Sequence, residues 1–405
     1  MNHAMNPWPV ACAALRRGWR VAAAMALLVA LAAALGIGVE ALERGVRRAA
    51  AQAADAFDLV VGAPGSATQL VLTSVYLQPD TVPLTDGAVL ARAMAEPEAA
   101  WASPIGFGDQ WRGHPVVGVT DAFATLGGRR RLHEGRVFAA EEEAVIGAAV
   151  PLALGGRITP QHGRVEVPDG GHVHEEVAYT AVGRLPPTGT PWDAAILVPI
   201  ESVWEIHGLG NGHPPGVERI GPPWEAGPPG VPAVVVKPRS VAGAYQLRAR
   251  YRAAGSTAVF PGEVLAGLFR TVGAVRAVLS AMAAATAALV VAAVFLAFGV
   301  LVAARTREHA LLRAIGAPPR FVVAALWLEL GVVLTAGVLA GTVLGWVGAV
   351  AAGSALGRAA GLSVGVALGW ADIGLAAAIL GGGLLAAALP TMWAGRAAPG
   401  AALKA

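Results

Sequence analysis

Four stretches without a charged residue constrain this chain more than any other feature. Residues 21–39, 277–304, 330–357 and 373–395 run for 19, 28, 28 and 23 residues. Roughly 20 apolar residues cross ~30 Å of hydrocarbon as a helix, and a helix satisfies its own backbone polar groups in lipid. Each stretch is therefore read as a membrane span. Charged residues make up only 14% of the chain, and of the 57 charges just 13 fall outside residues 40–276. A soluble domain is about 25% charged, so that split excludes a uniform water-soluble globule.

Arginines orient the spans, because basic residues are retained on the cytoplasmic side. Arg16, Arg17 and Arg20 precede the first stretch; Arg305, Arg307, Arg313 and Arg320 lie between the second and third; Arg396 and Lys404 follow the fourth. Glu308 is the only acidic residue interspersed with them, Glu329 standing at the edge of the third stretch. Both termini are then inside, and the long segment after the first span is outside. The first stretch also has the basic flank of a signal peptide. Its apolar run exceeds the 7–15 residues of such a signal, so an uncleaved anchor is favoured.

The expected fold class is membrane α-helical, with four transmembrane helices and a large α/β extracytoplasmic domain inserted between the first and second spans. The expected boundaries are a cytoplasmic amino terminus at 1–20, a span at 21–41, and the outer α/β domain with stalk helices at 42–270. A second span at 271–304, a cytoplasmic helix at 305–320 and a third span at 321–352 follow. A short outer link at 353–371, a span at 372–395 and a cytoplasmic tail at 396–405 complete the chain. Gly337 and Gly341 form a GxxxG spacing that suits close packing of helices.

Within the outer segment, 70–76, 116–119, 144–146, 178–182, 195–198 and 233–237 read as strands bounded by Gly, Pro or Asp. Residues 200–207 and 241–254 read as helices, and the Pro/Gly-rich stretch 208–232 as a long loop. The length of the segment favours two lobes. Trp101, Trp111 and Trp204 read as core or interface anchors. Residues 188–193 read as a turn, in which Trp192 and Asp193 are the groups that could touch a substrate.

Several chemistries are absent. A phosphate-binding GxxxxGK[ST] loop needs its lysine, and the only lysines are Lys237 and Lys404. There is no HExxH or CxxC, and a single cysteine, Cys12, forms no intrachain disulfide. The net charge of +3 and the lack of basic runs argue against nucleic acid. No catalytic constellation is supported, so any work across the membrane draws on a partner or an ion gradient. Ion-coupled transporters place ionisable residues inside their spans; here Glu329 and Asp372 stand only at the edges, which favours a partner.

Residues 304–321 carry the most information. Leu311, Leu312 and Ile315 form an apolar stripe on a short helix, Gly316 is placed to end it, and Pro318-Pro319 suits the start of the next. This segment resembles the coupling region of FtsX-like, or MacB-type, permeases of ABC transporters, whose RxxExxxLRxxGA pattern is matched by Arg305, Glu308, Leu312, Arg313, Gly316 and Ala317. The order of spans and the segment 58–70 resemble that family as well. The resemblance implies a non-catalytic permease subunit, a homodimer in a bacterial inner membrane with a periplasmic domain. It also implies a separate ABC ATPase holding ATP and Mg, with Arg305, Glu308, Leu311, Leu312, Arg313, Gly316 and Ala317 as coupling residues. ATP-driven movement would pass through the stalk helices to export, extract or activate something outside, with the lipid bilayer and a periplasmic protein as further partners.

Two alternatives stay open. One is a membrane-anchored mechanotransmission regulator of a periplasmic enzyme, without transport. The other is a metal-handling permease. For that reading His162, His172, His174, Glu175 and Glu176 offer imidazole and carboxylate ligands suited to Zn²⁺, with His172 and His174 on one face of an extended segment. His207 and His213 lie further along.

Overall fold

The computed structural model describes residues 6–163, 171–173 and 177–396. Helices α1 (Trp8–Arg17), α2 (Trp19–Ala54), α3 (Ala67–Ser74), α4 (Gly87–Met94), α5 (Asp121–Thr125), α6 (Ile200–Ile206) and α7 (Val241–Ala253) lead to α8 (Pro261–Ala304). The chain then continues through α9 (Thr306–Ala314), α10 (Pro319–Ala360) and α11 (Trp370–Arg396). Contacts divide it into two compact units. One takes in the segments up to Val46, from Val272 to Ala355 and from Gly365 onward; the other comprises Arg47–Thr271 and Leu356–Val364.

In the helical unit, three helices are long and apolar enough to cross a bilayer: Trp19–Ala54, Ala284–Ala304 and Pro319–Ala360. Trp370–Ala386 adds a shorter apolar helix. Met25, Val29, Ala33 and Ile37 of α2 share a core with Val294 and Phe298 of α8, Leu330 and Leu334 of α10, and Ile379 of α11. The glycines allow the closest approach. A Cβ on Gly337 would sit 2.7 Å from the Ala26 carbonyl oxygen, and one on Gly345 would sit 2.6 Å from that of Ala34. The GxxxG spacing of the sequence is thus the face on which α10 meets α2. α2 and α8 run without a break across the residues at which the two units divide.

The other unit is built on one sheet. Its strands are β1 (Leu59–Gly62), β2 (Ala99–Trp111), β3 (His114–Val119), β4 (Glu134–Gly135), β5 (Glu143–Ile146) and β6 (Arg157–Ile158). β7 (Gln161–Gly163), β8 (Gly171–Val173), β9 (Tyr179–Arg184), β10 (Ile196–Pro199), β11 (Ala233–Pro238) and β12 (Thr257–Val259) complete it. The order is β12-β1-β11-β2-β3-β10-β5-β9-β4, with β6 on β9 and β7–β8 on β2. β10 runs parallel to β3 and β5 to β9, while the other pairs are antiparallel.

Side chains alternate between the two faces, and both faces are covered. Leu59, Val61, Ile196 and Val198 pack with Leu90, Trp204, Leu247 and Tyr251 on one side. Val60, Leu197 and Val235 pack with Phe57, Leu70, Phe123 and Trp192 on the other. The second core also contains Ala50 and Ala53 from the end of α2 and Leu265 from the start of α8.

Two expectations need correction. The anticipated two lobes are a single unit, because β2 spans 13 residues and pairs with β11 along its first half and β3 along its second. β2 carries no run of β-branched residues, so its length was not legible. Residues 70–76, expected as a strand, fall largely in α3. The hydroxyl of Ser66 accepts from the Gln69 amide at 3.3 Å, a Ser-x-x-Gln start of the kind that opens helices. Leu70, Val71 and Ser74, spaced for a helix, form its buried side. The strands expected near 116–119, 144–146, 178–182, 195–198 and 233–237, and the helices at 200–207 and 241–254, are present within a residue or two.

Candidate coupling site

The turn between α8 and α10 is closed by local chemistry. Arg305 is the N-cap of α9, whose carbonyl accepts from the His309 amide at 3.1 Å. At the other end the Gly316 amide donates to Arg313 and the Ala317 amide to Leu312, at 3.1 and 3.0 Å. These two bonds make a Schellman closure, in which the first residue past the cap takes positive φ. Gly316 has φ of 102°, a backbone position that favours glycine. α10 then opens on Pro319, where a missing amide hydrogen costs no helical bond. The stop and restart expected from Gly316 and Pro318-Pro319 are both observed.

The apolar stripe divides in two. Leu311 is 52% exposed and Ile315 83%, whereas Leu312 faces inward with Ala14, His309 and Val322 around a cavity of about 150 Å³. Ala310 is buried. Burial holds the His309 imidazole below its ordinary pKa, against the opposing pull of Glu308. Two neighbouring apolar side chains displayed on an otherwise polar turn are a contact surface in search of cover.

The motif's charged residues point elsewhere. Arg305 donates to Glu329 Oε1 at 2.9 Å and to the Ala14 carbonyl at 3.3 Å. Glu308 pairs with Arg17 at 2.9 Å. Arg17 and Ala14 belong to α1, within the segment expected only as a cytoplasmic amino terminus. The signals that could have revealed this helix were its length, the Arg16-Arg17 end and the following Gly18, all helix-terminating features.

Both carboxylates at the edges of the apolar runs are occupied by arginine. Besides Glu329 with Arg305, Asp372 Oδ2 accepts from Arg44 at 2.5 Å and from the Gly369 amide at 2.7 Å. A carboxylate held by a guanidinium and a backbone amide is poorly suited to carry a coupling proton.

The other candidate residues distribute differently. β7 and β8 pair so that His162 stands opposite His172, while His174, Glu175 and Glu176 lie outside the described residues. Among the described residues no group of three His, Cys, Asp or Glu could hold a metal. His213 is directed to Glu225, Nδ1 to Oε2 at 3.0 Å. Residues 188–193 form the expected turn, with the Asp193 carboxylate accepting from the Thr188 and Gly189 amides at 2.8 and 2.7 Å. Trp192 is buried beside Phe57 and Phe123 and donates to the Val75 carbonyl at 3.0 Å, so it serves the core. Trp111 and Trp204 are buried as well.

No curated protein matches the chain significantly. Residues 280–398 match the family model of the FtsX-like permease C-terminal region. That interval contains α9, its Schellman closure and the apolar helices on either side. Over this region the chain is similar to FtsX-like permeases.

Proposed function

We propose that this chain is the membrane subunit of an ABC transporter complex, in which α9 is pressed by a separate ATPase that holds ATP and Mg. The observation that carries the reading is the exposed pair Leu311 and Ile315 on a rigidly closed turn within the FtsX-like region. The chain has no phosphate-binding lysine loop of its own, so hydrolysis belongs to the partner. The arginine pattern supports α9 and both termini in the cytoplasm and residues 47–271 on the opposite side, which the resemblance to FtsX-like permeases would make the periplasmic side of a bacterial inner membrane.

The work is mechanical and directed at the outer domain. α2 and α8 are unbroken helices of 36 and 44 residues. Their outer ends, Ala50, Ala53 and Leu265, are packed inside the domain's own core, so a displacement of either helix must be felt by the sheet. Paired carboxylates and tightly packed glycine faces support extrusion, extraction or activation outside the bilayer over passage of an ion between the helices. Exposed apolar residues on α8 and α10, among them Leu289, Leu296, Leu339 and Val343, suit lipid and a second copy of the permease.

The docking is tested by Leu311→Asp with Ile315→Asp in the tagged full-length chain, expressed in its own host. The expected result is loss of an ABC ATPase from the purified complex, with an unchanged elution profile of the permease. An ATPase retained at parental amounts would overturn the assignment of α9 as the docking helix.

A further inference from the structure

α8, α9 and α10 are consecutive in the chain, with one or a few residues between them. A push on α9 therefore reaches α8 and α10 covalently. α2 has no such link to α9, although it is the other helix that continues into the outer domain's core. Besides the packing of α8 and α10 on α2 along the helical core, side-chain contacts at the junction of α1 with α2 join α9 to α2.

Arg305 sits at the centre of that junction, with its side chain only 12% exposed. One guanidinium nitrogen reaches Glu329 on α10 and the other reaches the Ala14 carbonyl in the last turn of α1. The end of a helix carries partial negative charge and favours a cation there. Gly18, the residue between α1 and α2, lies directly under the same guanidinium: a Cβ on it would meet Arg305 Nη2 at 2.5 Å. One turn further along α9, Glu308 pairs with Arg17. That second contact is largely exposed and adds little by itself. A planar fork that serves two acceptors at once is a task for arginine more than lysine.

We propose that Arg305 is a positioning residue that clasps α9 to the α1–α2 joint, so that thrust on α9 is shared with α2 as well as α8. Its place in the motif then reflects force distribution within the permease, while Leu311 and Ile315 meet the partner. The clasp rests on the geometry alone; its role in transmission rests on the function proposed above.

The clasp is tested in the full-length chain in nanodiscs, with Cys12→Ser as background and Ala11→Cys as reporter, Ala11 being 1% exposed on α1. Maleimide labelling of the reporter is expected to be slow. Arg305→Ala should accelerate it about tenfold or more, the order expected when a charge-assisted bond to a buried partner is lost and local opening becomes easier. Arg305→Lys should fall between, and Gly18→Val, which crowds the guanidinium from the other side, should also accelerate it. Labelling of Arg305→Ala at the parental rate overturns the clasp.

Transmission is read in the complex with its ATPase, from nucleotide-dependent labelling of Ala51→Cys on α2 and Leu268→Cys on α8. Arg305→Ala should reduce the change at residue 51 and spare that at residue 268. Equal loss at both sites, or retention at both, overturns the shared-thrust role. If no ATPase binds the parent chain, the proposed function fails while the Ala11→Cys result still decides the clasp.

Discussion

Gly341 shows how little room separates α10 from α2. The nearest atoms to a Cβ there would be the Ala30 carbonyl oxygen and the Ala33 methyl, the latter at 2.7 Å. Backbone atoms cannot swing aside as a flexible side chain can, so a larger residue must separate the helices. Gly341→Val should cost about 1–3 kcal/mol, the usual penalty for overpacking a well-filled interior. A fall in the melting temperature of the detergent-solubilised chain checks it; an unchanged value would mean that the helices shift without loss. Gly348, which meets nothing within 4 Å, provides the control, since Gly348→Val should leave the melting temperature nearly unchanged. The spacing of these glycines was visible in the sequence, but the face they serve was not, because Gly337, Gly341 and Gly348 look alike until α2 is in place.

Among the larger elements, residues 208–232 form the long loop that was expected. The stretch does lack helix and strand, apart from an isolated bridge between Val231 and Thr85. It is nonetheless firmly docked on α6. The Glu201 carboxylate accepts from the Trp224 indole at 2.6 Å and from the Gly221 amide at 2.8 Å, and Trp224 meets Trp204 edge to face at 5.4 Å. Arg219 bridges to Glu225 at 2.7 Å. Burial raises the Glu201 carboxyl above the usual range. Burial and a hydrogen bond with Glu205 raise Glu141 to about 7, with Glu201 adding to the effect and Asn211 opposing it. Hydrogen bonds from His213 and Arg219 hold Glu225 down at about 2.

These directions set a pH window for the docked loop. Glu141 is protonated in the folded chain where a free carboxyl is ionised. Its contribution is complete below about 4.5 and is lost as the pH rises through about 7. Glu225 works in the opposite sense, contributing above about 4.5 and losing its contribution as the pH falls toward about 2. Hydrogen exchange in residues 208–232, corrected for intrinsic rates, should be slowest near pH 4.5 and faster on either side. Glu141→Gln should remove most of the acceleration on the alkaline side. A flat profile, or the same alkaline rise in the variant, would contradict these assignments.

At the scale of the whole molecule, the sidedness of the membrane is the decisive expectation. It was drawn entirely from arginines flanking apolar runs. With Cys12→Ser, a cysteine in place of Leu311 should be labelled by a membrane-impermeant maleimide only in inverted vesicles, and one in place of Leu84 only from outside the intact cell. Leu311 and Leu84 are 52% and 55% exposed, so access to the thiol does not limit either reaction. The reverse pattern would remove α9 from the ATPase's reach and the proposed function with it.

The apolar runs, their arginine flanks and the punctuation of α9 by Gly316 and Pro319 were determined by sequence alone. They depend on solvent transfer and on backbone chemistry that act within a few residues of each position. Tertiary structure alone decided that β2 unites the sheet, that Leu312 turns inward while Leu311 and Ile315 remain displayed, and that Arg305 reaches back to Ala14. Each of those outcomes depends on partners far away in sequence: β11 and β3 for β2, α1 and α10 for Arg305. No local pattern records a neighbour that only folding brings within a few ångströms.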